Sequence, residues 1–285
     1  MTSVLFGLTA LLWGGGALAT ALQAGVTPAP WSVAIRMAVA AMCLFGYGAS
    51  RGQSLVIPGR DRLFVALQGV LFFSLAFISF YEAAHRIPSG LAALVLSTSS
   101  LFAAVIGWAL LDTPLSASLL WGALCGMAGV AIIFAPGIAG LGPGAGAGVA
   151  WALLAAVATG GGTVVGARNQ RAGLPTVTIL GWSAVVGSAG SAIWAIATGA
   201  TFVPDLSVRY ISSLLYLAIA ASCITFALYF ELVRRLGPGK AAYTLTIVPV
   251  VALLLSAAFE DLHLGANILI GAAIILVGNL IVLRR

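Results

Sequence analysis

The chain is a succession of apolar runs, each about twenty residues long, set apart by short punctuation of glycine, proline or charge. Wound as a helix, a run of about twenty residues crosses a hydrocarbon core of roughly 30 Å. Backbone groups in lipid must be satisfied within the segment, so such runs are helices and not strands. Ten are read, at residues 3–22, 30–50, 63–83, 89–111, 118–135, 145–167, 175–198, 210–230, 240–259 and 265–283. Composition excludes the soluble alternative: 61% of residues are hydrophobic and 7% charged, and the mean hydropathy of +1.14 leaves too little polar surface to coat a water-soluble globule. The expected fold class is an all-α polytopic membrane protein. The first run has no Lys or Arg before it, so it is expected to be a membrane helix and not a cleaved signal.

The pI of about 9.7 suggests nucleic acid at first, but cations scattered among apolar runs make no basic face. Their placement is a topology signal instead. With the loop carrying Arg51, Arg60 and Arg62 taken as cytoplasmic, the same side receives Arg168, Arg171, Arg234, Arg235, Lys240, Arg284 and Arg285. Arg86 and Arg209 fall outside, and both termini are expected in the cytoplasm. Arg36 lies within the second run, where it is expected to snorkel to the outer headgroups.

Charge also reveals a duplication. A shift of 149 residues lays FYEAAHRIPSGLAA over YFELVRRLGPGKAA without a gap, so that Glu82 falls on Glu231, Arg86 on Arg235 and Gly90 on Gly239. The register continues through Asp112 and Asp261, Gly122 and Gly271, and Gly129 and Gly278. Near the start, LTALLWGGGALAT resembles LAAVATGGGTVVG at a shift of 146. Matches of Ala, Leu and Gly are cheap in membrane helices; matched Glu, Arg and Asp in a charge-poor chain are not. The expected organisation is a first five-helix repeat over residues 1–135, a Gly/Pro-rich linker over 136–148, and a second repeat over 149–285. Five is odd, so the second repeat is inverted, and two similar halves of opposite orientation can open a central site to either side in turn.

Ten helices in two halves, LLWGGG in the first helix, the arginine of AIRMAVAAMCLFG in the second, and VPVVALLLSAAFEDLHLGANILIGAAIILVG across the last two resemble the EamA-type family of the drug/metabolite transporter superfamily. The chain is most similar within it to the YddG-type amino-acid exporters of bacterial inner membranes. That resemblance implies export of small metabolites, amino acids first, with aromatic or hydrophobic ones favoured. It also implies a bacterial inner-membrane location. Two departures stand out: Ser100 occupies the position equivalent to Pro249, and LSTSSLF replaces LTIVPVV.

Polar atoms near mid-membrane need a neighbouring helix or a water-filled cavity. Ser97, Thr98, Ser99 and Ser100 turn through about 300° of helix, so they cannot all face one neighbour. As a group they are expected to reach a cavity, although single hydroxyls also bond back to their own helix. Trp13 sits at mid-depth although indoles favour interfaces, and it is followed by Gly14, Gly15 and Gly16. These glycines either allow close helix approach or expose backbone to a ligand. The candidate substrate-binding residues are Trp13, Gly15, Tyr81, Ser97, Ser99, Ser100, Thr159, Thr163, Thr225, Tyr229 and Thr246, the two tyrosines near helix ends as gates or as interfacial anchors. Glu82 with Arg86 and Glu231 with Arg235 are i,i+4 pairs expected to act as structural latches.

No catalytic or metal motif occurs: the chain has no Walker loop, GxSxG or HExxH. Cys43, Cys125 and Cys223 lack ligand spacing and are expected to be small buried residues. The functional expectation is a cofactor-free transporter of small metabolites, not an enzyme, whose partners are its solute and the lipid bilayer. An exporter of drugs or organic cations is the alternative, weakened because no acid falls at mid-membrane.

Overall fold

A computed structural model describes residues 2–111, 117–134, 144–236 and 238–283. Asp112, most of the 136–148 linker, Arg284, Arg285 and the side chains of Arg234 and Lys240 lie outside the described residues. The described residues are helices joined by short loops, with no strand among them. In chain order the helices are α1 (Thr2–Ala21), α2 (Ala29–Ser50), α3 (Gly59–Gln68), α4 (Ala76–Ala84), α5 (Ser89–Leu96), α6 (Ser99–Leu111) and α7 (Ala117–Phe134). They are followed by α8 (Ala145–Arg171), α9 (Thr176–Ala197), α10 (Val208–Leu215), α11 (Thr225–Leu236), α12 (Pro238–Phe259) and α13 (Ala266–Leu283). Six helical stretches are long and apolar enough to cross a membrane, and shorter apolar helices lie at Leu124–Phe134, Val208–Ile224, Thr244–Phe259 and Ala266–Ile281. Large apolar side chains such as Met42, Trp121, Ile196 and Leu254 point outward, as a lipid-facing surface requires.

Two helical rods contain a π-helical segment: Gly69–Leu75 joins α3 to α4, and Tyr216–Ile224 joins α10 to α11. In the register of 149 residues, Gly69–Leu75 corresponds to 218–224, inside the second segment. There the side chains help widen the helix. Ser222 Oγ donates to Leu217 O at 2.8 Å and Thr225 Oγ1 to Ala220 O at 2.6 Å, each reaching back five residues. π-Segments inside α-helices are rare and gather at functional sites.

Two helices run further than the apolar pattern predicts. α8 reaches Arg171 and α11 reaches Leu236, which places Arg168 and Arg171 on α8 and extends the helical end that carries Glu231 and Arg235. Arg and Glu are good helix formers, so a helix continues past its apolar zone until a breaker stops it; Gly173 at φ +78° does so after α8. The expected 89–111 helix is broken at Ser97 and Thr98. The cysteines are free and half-buried, where small buried residues were expected.

Small residues set the packing. α7 lies along α13, α2 along α9, α1 along α12, and α8 against both α4 and α6. A Cβ built on Gly14 would sit 3.1 Å from Val248 O and collide with Val251. One built on Gly160 would sit 2.9 Å from Ser99 O and collide with Phe102. Ser99 and Phe102 are the positions equivalent to Val248 and Val251. Backbones this close replace the hydrophobic driving force that lipid does not supply.

Hydrogen bonds sort the loops into two ends. At one, Thr178 Oγ1 donates to Ser54 O at 2.7 Å, Trp182 Nε1 to Leu55 O at 2.8 Å, and Arg168 pairs with the buried Asp61 at 2.6 Å. At the other, Thr27 Oγ1 donates to Val203 O and Trp31 Nε1 to Ala200 O, each at 2.8 Å. Arg51, Arg60, Arg62, Arg168 and Arg171 therefore gather at one end.

Candidate functional site

A cavity of about 490 Å³ occupies the middle of the helix bundle, within the range typical of small-molecule sites. Helices from both halves of the chain line it. α1 contributes Trp13 and Thr20, α2 contributes Arg36, and the first π-segment and α4 contribute Phe72 and Phe77. The second half supplies Thr159, Thr163, Ser222, Phe226, Tyr229, Thr246, Pro249 and Asn279.

The break between α5 and α6 lies on this cavity. Ser97 Oγ donates to Leu94 O and Thr98 Oγ1 to Val95 O, both at 2.7 Å, so hydroxyls satisfy carbonyls near the break. Local bonds of this kind compete with the helical ladder. The equivalent stretch of α12 contains Pro249, which has no N–H to give the ladder. Thr246, Val248 and Pro249 line the cavity together with Ser97, Ser99 and Ser100. Thr246 Oγ1 is buried without a hydrogen-bond partner.

Of the residues expected at a substrate site, the cavity brings together Trp13, Ser97, Ser99, Ser100, Thr159, Thr163, Tyr229 and Thr246. Gly15, Tyr81 and Thr225 lie off it. A Cβ on Gly15 would meet the hydroxyl of Tyr216 at 2.5 Å, so this glycine makes room for a helix contact; Tyr216 donates to Leu12 O at 2.9 Å. Tyr81 is fully buried, its hydroxyl without a partner, and it packs with Met37 and Ile78 instead of facing a mouth. The hydroxyl of Thr225 is held by Ala220 O.

Trp13 is fixed on three sides. Its Nε1 donates to Ala221 O at 3.0 Å, and its ring lies edge-on to Phe226 with centroids 5.5 Å apart and tilted against Tyr229 at 5.2 Å. The carbonyl it uses belongs to the second π-segment. Asn279, which sequence reasoning missed, accepts from Ser100 Oγ at 3.2 Å and donates to Ser97 Oγ at 3.1 Å, tying the helix break to α13. A lone Asn near the end of a strongly apolar helix was its only signal.

Arg36 corrects an expectation. It does not snorkel: only 5% of it is exposed, and it lines the cavity. Its guanidinium carbon lies 4.3 Å above the Phe77 ring, one terminal nitrogen sits 3.5 Å from Ser222 Oγ, and Nε has no partner. Depth along the helix suggested snorkelling, but the side of the helix decides, and Arg36 faces inward. Among the described residues no Asp or Glu lines the cavity. The i,i+4 pairs Glu82–Arg86 and Glu231–Arg235 both form at helix ends, away from it. No group of three or more His, Cys, Asp or Glu suited to a metal occurs among the described residues.

A bundle of apolar helices around a central, mostly apolar cavity with a few converging polar groups defines a small-molecule membrane protein. The profile of the EamA-like transporter family matches residues 1–135 and 146–284, and the chain belongs to that family. It is 29% identical over 223 residues to Protein PecM of Dickeya dadantii (strain 3937), covering 78% of this chain and 73% of the relative. A solved crystal structure of a protein 23% identical in sequence shares the fold with a TM-score of 0.67, over 98% of this chain and 95% of the other.

Proposed function

We propose that this transporter exports small metabolites, amino acids above all, across a bacterial inner membrane by alternating access through the central cavity. Ten membrane crossings form two inverted five-helix repeats with both termini cytoplasmic. One observation carries the reading: the break at Ser97–Thr98 and the proline-bearing stretch of α12 occupy equivalent positions in the two halves and line the same cavity. A helix break or a helix proline in corresponding segments of the two halves points to the binding site in transporters built this way, although α12 itself runs unbroken through Pro249. Further support comes from the equivalent π-segments and from glycine contacts repeated in the same register, Gly14 on Val248 and Gly160 on Ser99. The family profile also falls on two separate stretches.

Aromatic rings around Trp13 suit an apolar or aromatic side chain, and hydroxyls from both halves suit the polar head. An organic-cation exporter fits less well, because the charge on the cavity wall is positive. Uptake of a panel of radiolabelled amino acids into proteoliposomes tests the reading. Saturable uptake of at least one is expected; entry at the rate of protein-free vesicles for all of them would refute it.

A further inference from the structure

We infer that Arg36 is the anchor for the cargo's carboxylate, and that the recognised class is the amphipathic monocarboxylate, whether or not it carries an amino group. This rests on the exporter reading above and narrows what that exporter selects.

The argument starts from an imbalance. A guanidinium has five donors, and its planar fork matches a carboxylate. Arg36 spends little of that capacity, with one marginal contact to Ser222, the neutral hydroxyl of Tyr81 nearby, a ring face at Phe77 and an orphaned Nε. Burying a charge is costly unless it is paired. The carboxylates among the described residues are placed elsewhere: Asp61 with Arg168 and Arg60, Glu82 with Arg86, Glu231 with Arg235, and Glu260 with the backbone N–H and hydroxyl of Ser89. Asp205 accepts from the backbone N–H of Ser207, and Asp261 is exposed. A positive group left without a counter-charge on a cavity wall is a site for an anion brought from outside.

The rest of the wall defines the anion. Trp13, Phe72, Phe77 and Phe226 present apolar faces that a strongly hydrated inorganic ion would not use. With no acid on the wall among the described residues, an α-ammonium finds only hydroxyls and carbonyls there. The carboxylate is therefore the selected group and the ammonium a tolerated one.

The test is calorimetric binding to the purified full-length protein in detergent, with four probes: phenylalanine, N-acetylphenylalanine, phenylalaninamide and tetraphenylphosphonium. Wild type is expected to bind both carboxylates, with the amide weaker by about thirtyfold or more, the scale of losing one partner of a buried charge pair, and the phosphonium weakest. Arg36→Gln should abolish the preference for acid over amide. Arg36→Lys, which keeps the charge but not the fork, should retain a reduced preference. Thermal unfolding guards against a merely structural effect: removing an unpaired buried charge should leave the midpoint of Arg36→Gln unchanged or raised. The inference is overturned if no carboxylate binds, if the amide matches the acid in wild type, if Arg36→Gln keeps the preference, or if it unfolds well below wild type. Acid-selective binding without flux in proteoliposomes would support the anchor and refute the exporter reading instead.

Discussion

Gly129 and Gly271 meet across the α7–α13 crossing so closely that a Cβ built on either would lie 2.6 Å from the carbonyl oxygen of the other. Gly278 makes a similar approach, with its built Cβ 2.9 Å from Gly122 O. In the register of 149 residues Gly129 corresponds to Gly278 and Gly122 to Gly271, so this helix pair is held at two equivalent points.

Because the obstacle at Gly129 is backbone, a side chain there cannot be accommodated by a rotamer change. Gly129→Ala should lower stability by about 1–3 kcal/mol, the usual cost of overpacking, and Gly129→Leu should abolish monodisperse protein. Thermal unfolding in detergent measures the first and gel filtration the second. An unchanged midpoint in both would mean that the crossing is looser than described.

The sidedness of the loops is testable with single cysteines in a background lacking Cys43, Cys125 and Cys223. Gln53 and Gln170 are exposed at the cation-rich end and Thr201 at the other. Cysteines at Gln53 and Gln170 should resist an impermeant thiol reagent on intact cells, while one at Thr201 should react. The reverse pattern would invert the proposed orientation.

Cavity substitutions should separate transport from folding. Trp13→Ala removes a ring that packs edge-on to Phe226 and tilted against Tyr229, and the hydrogen bond to Ala221 O. Ser99→Trp fills space at another point of the cavity wall. Each should reduce transport by about tenfold or more, a change of roughly 1.4 kcal/mol, with the protein still folded in detergent. Transport at the wild-type rate in both would place the pathway elsewhere.

Much of this could be read from the chain, for physical reasons that differ residue by residue. Glu82, Arg86, Glu231 and Arg235 revealed the register because charge is rare here, and both pairs form. Ser97, Ser99 and Ser100 were visible because consecutive hydroxyls at mid-membrane are costly without partners. What stayed hidden was helix rotation. In a helix apolar all round, sequence does not separate a lipid-facing side from a protein-facing one. For that reason Arg36 was expected at the headgroups, while Tyr81 and Thr225 were expected at a pocket whose wall they do not form. The π-segments were also invisible, since a widened helix keeps the same apolar composition while shifting the angle of every residue beyond it.

Energy coupling follows from what the cavity wall holds. Proton-driven exchange needs an ionisable group on the solute path whose charge can change between the two sides. Among the described residues the cavity has no Asp, Glu or His. Transport is therefore expected to continue with equal internal and external pH and an uncoupler present. Loss under those conditions, with recovery on an imposed pH step, would require a titratable group on the path and would turn attention to Glu82 and Glu231.

The central claim is that the cavity between the two halves carries solute from one side to the other. Counterflow tests it most directly: proteoliposomes preloaded with unlabelled phenylalanine are diluted into trace labelled phenylalanine at equal pH. Wild type should accumulate label transiently above its equilibrium level, and Ser99→Trp should not. Equilibration without overshoot in wild type, at the rate of protein-free vesicles, would contradict the account.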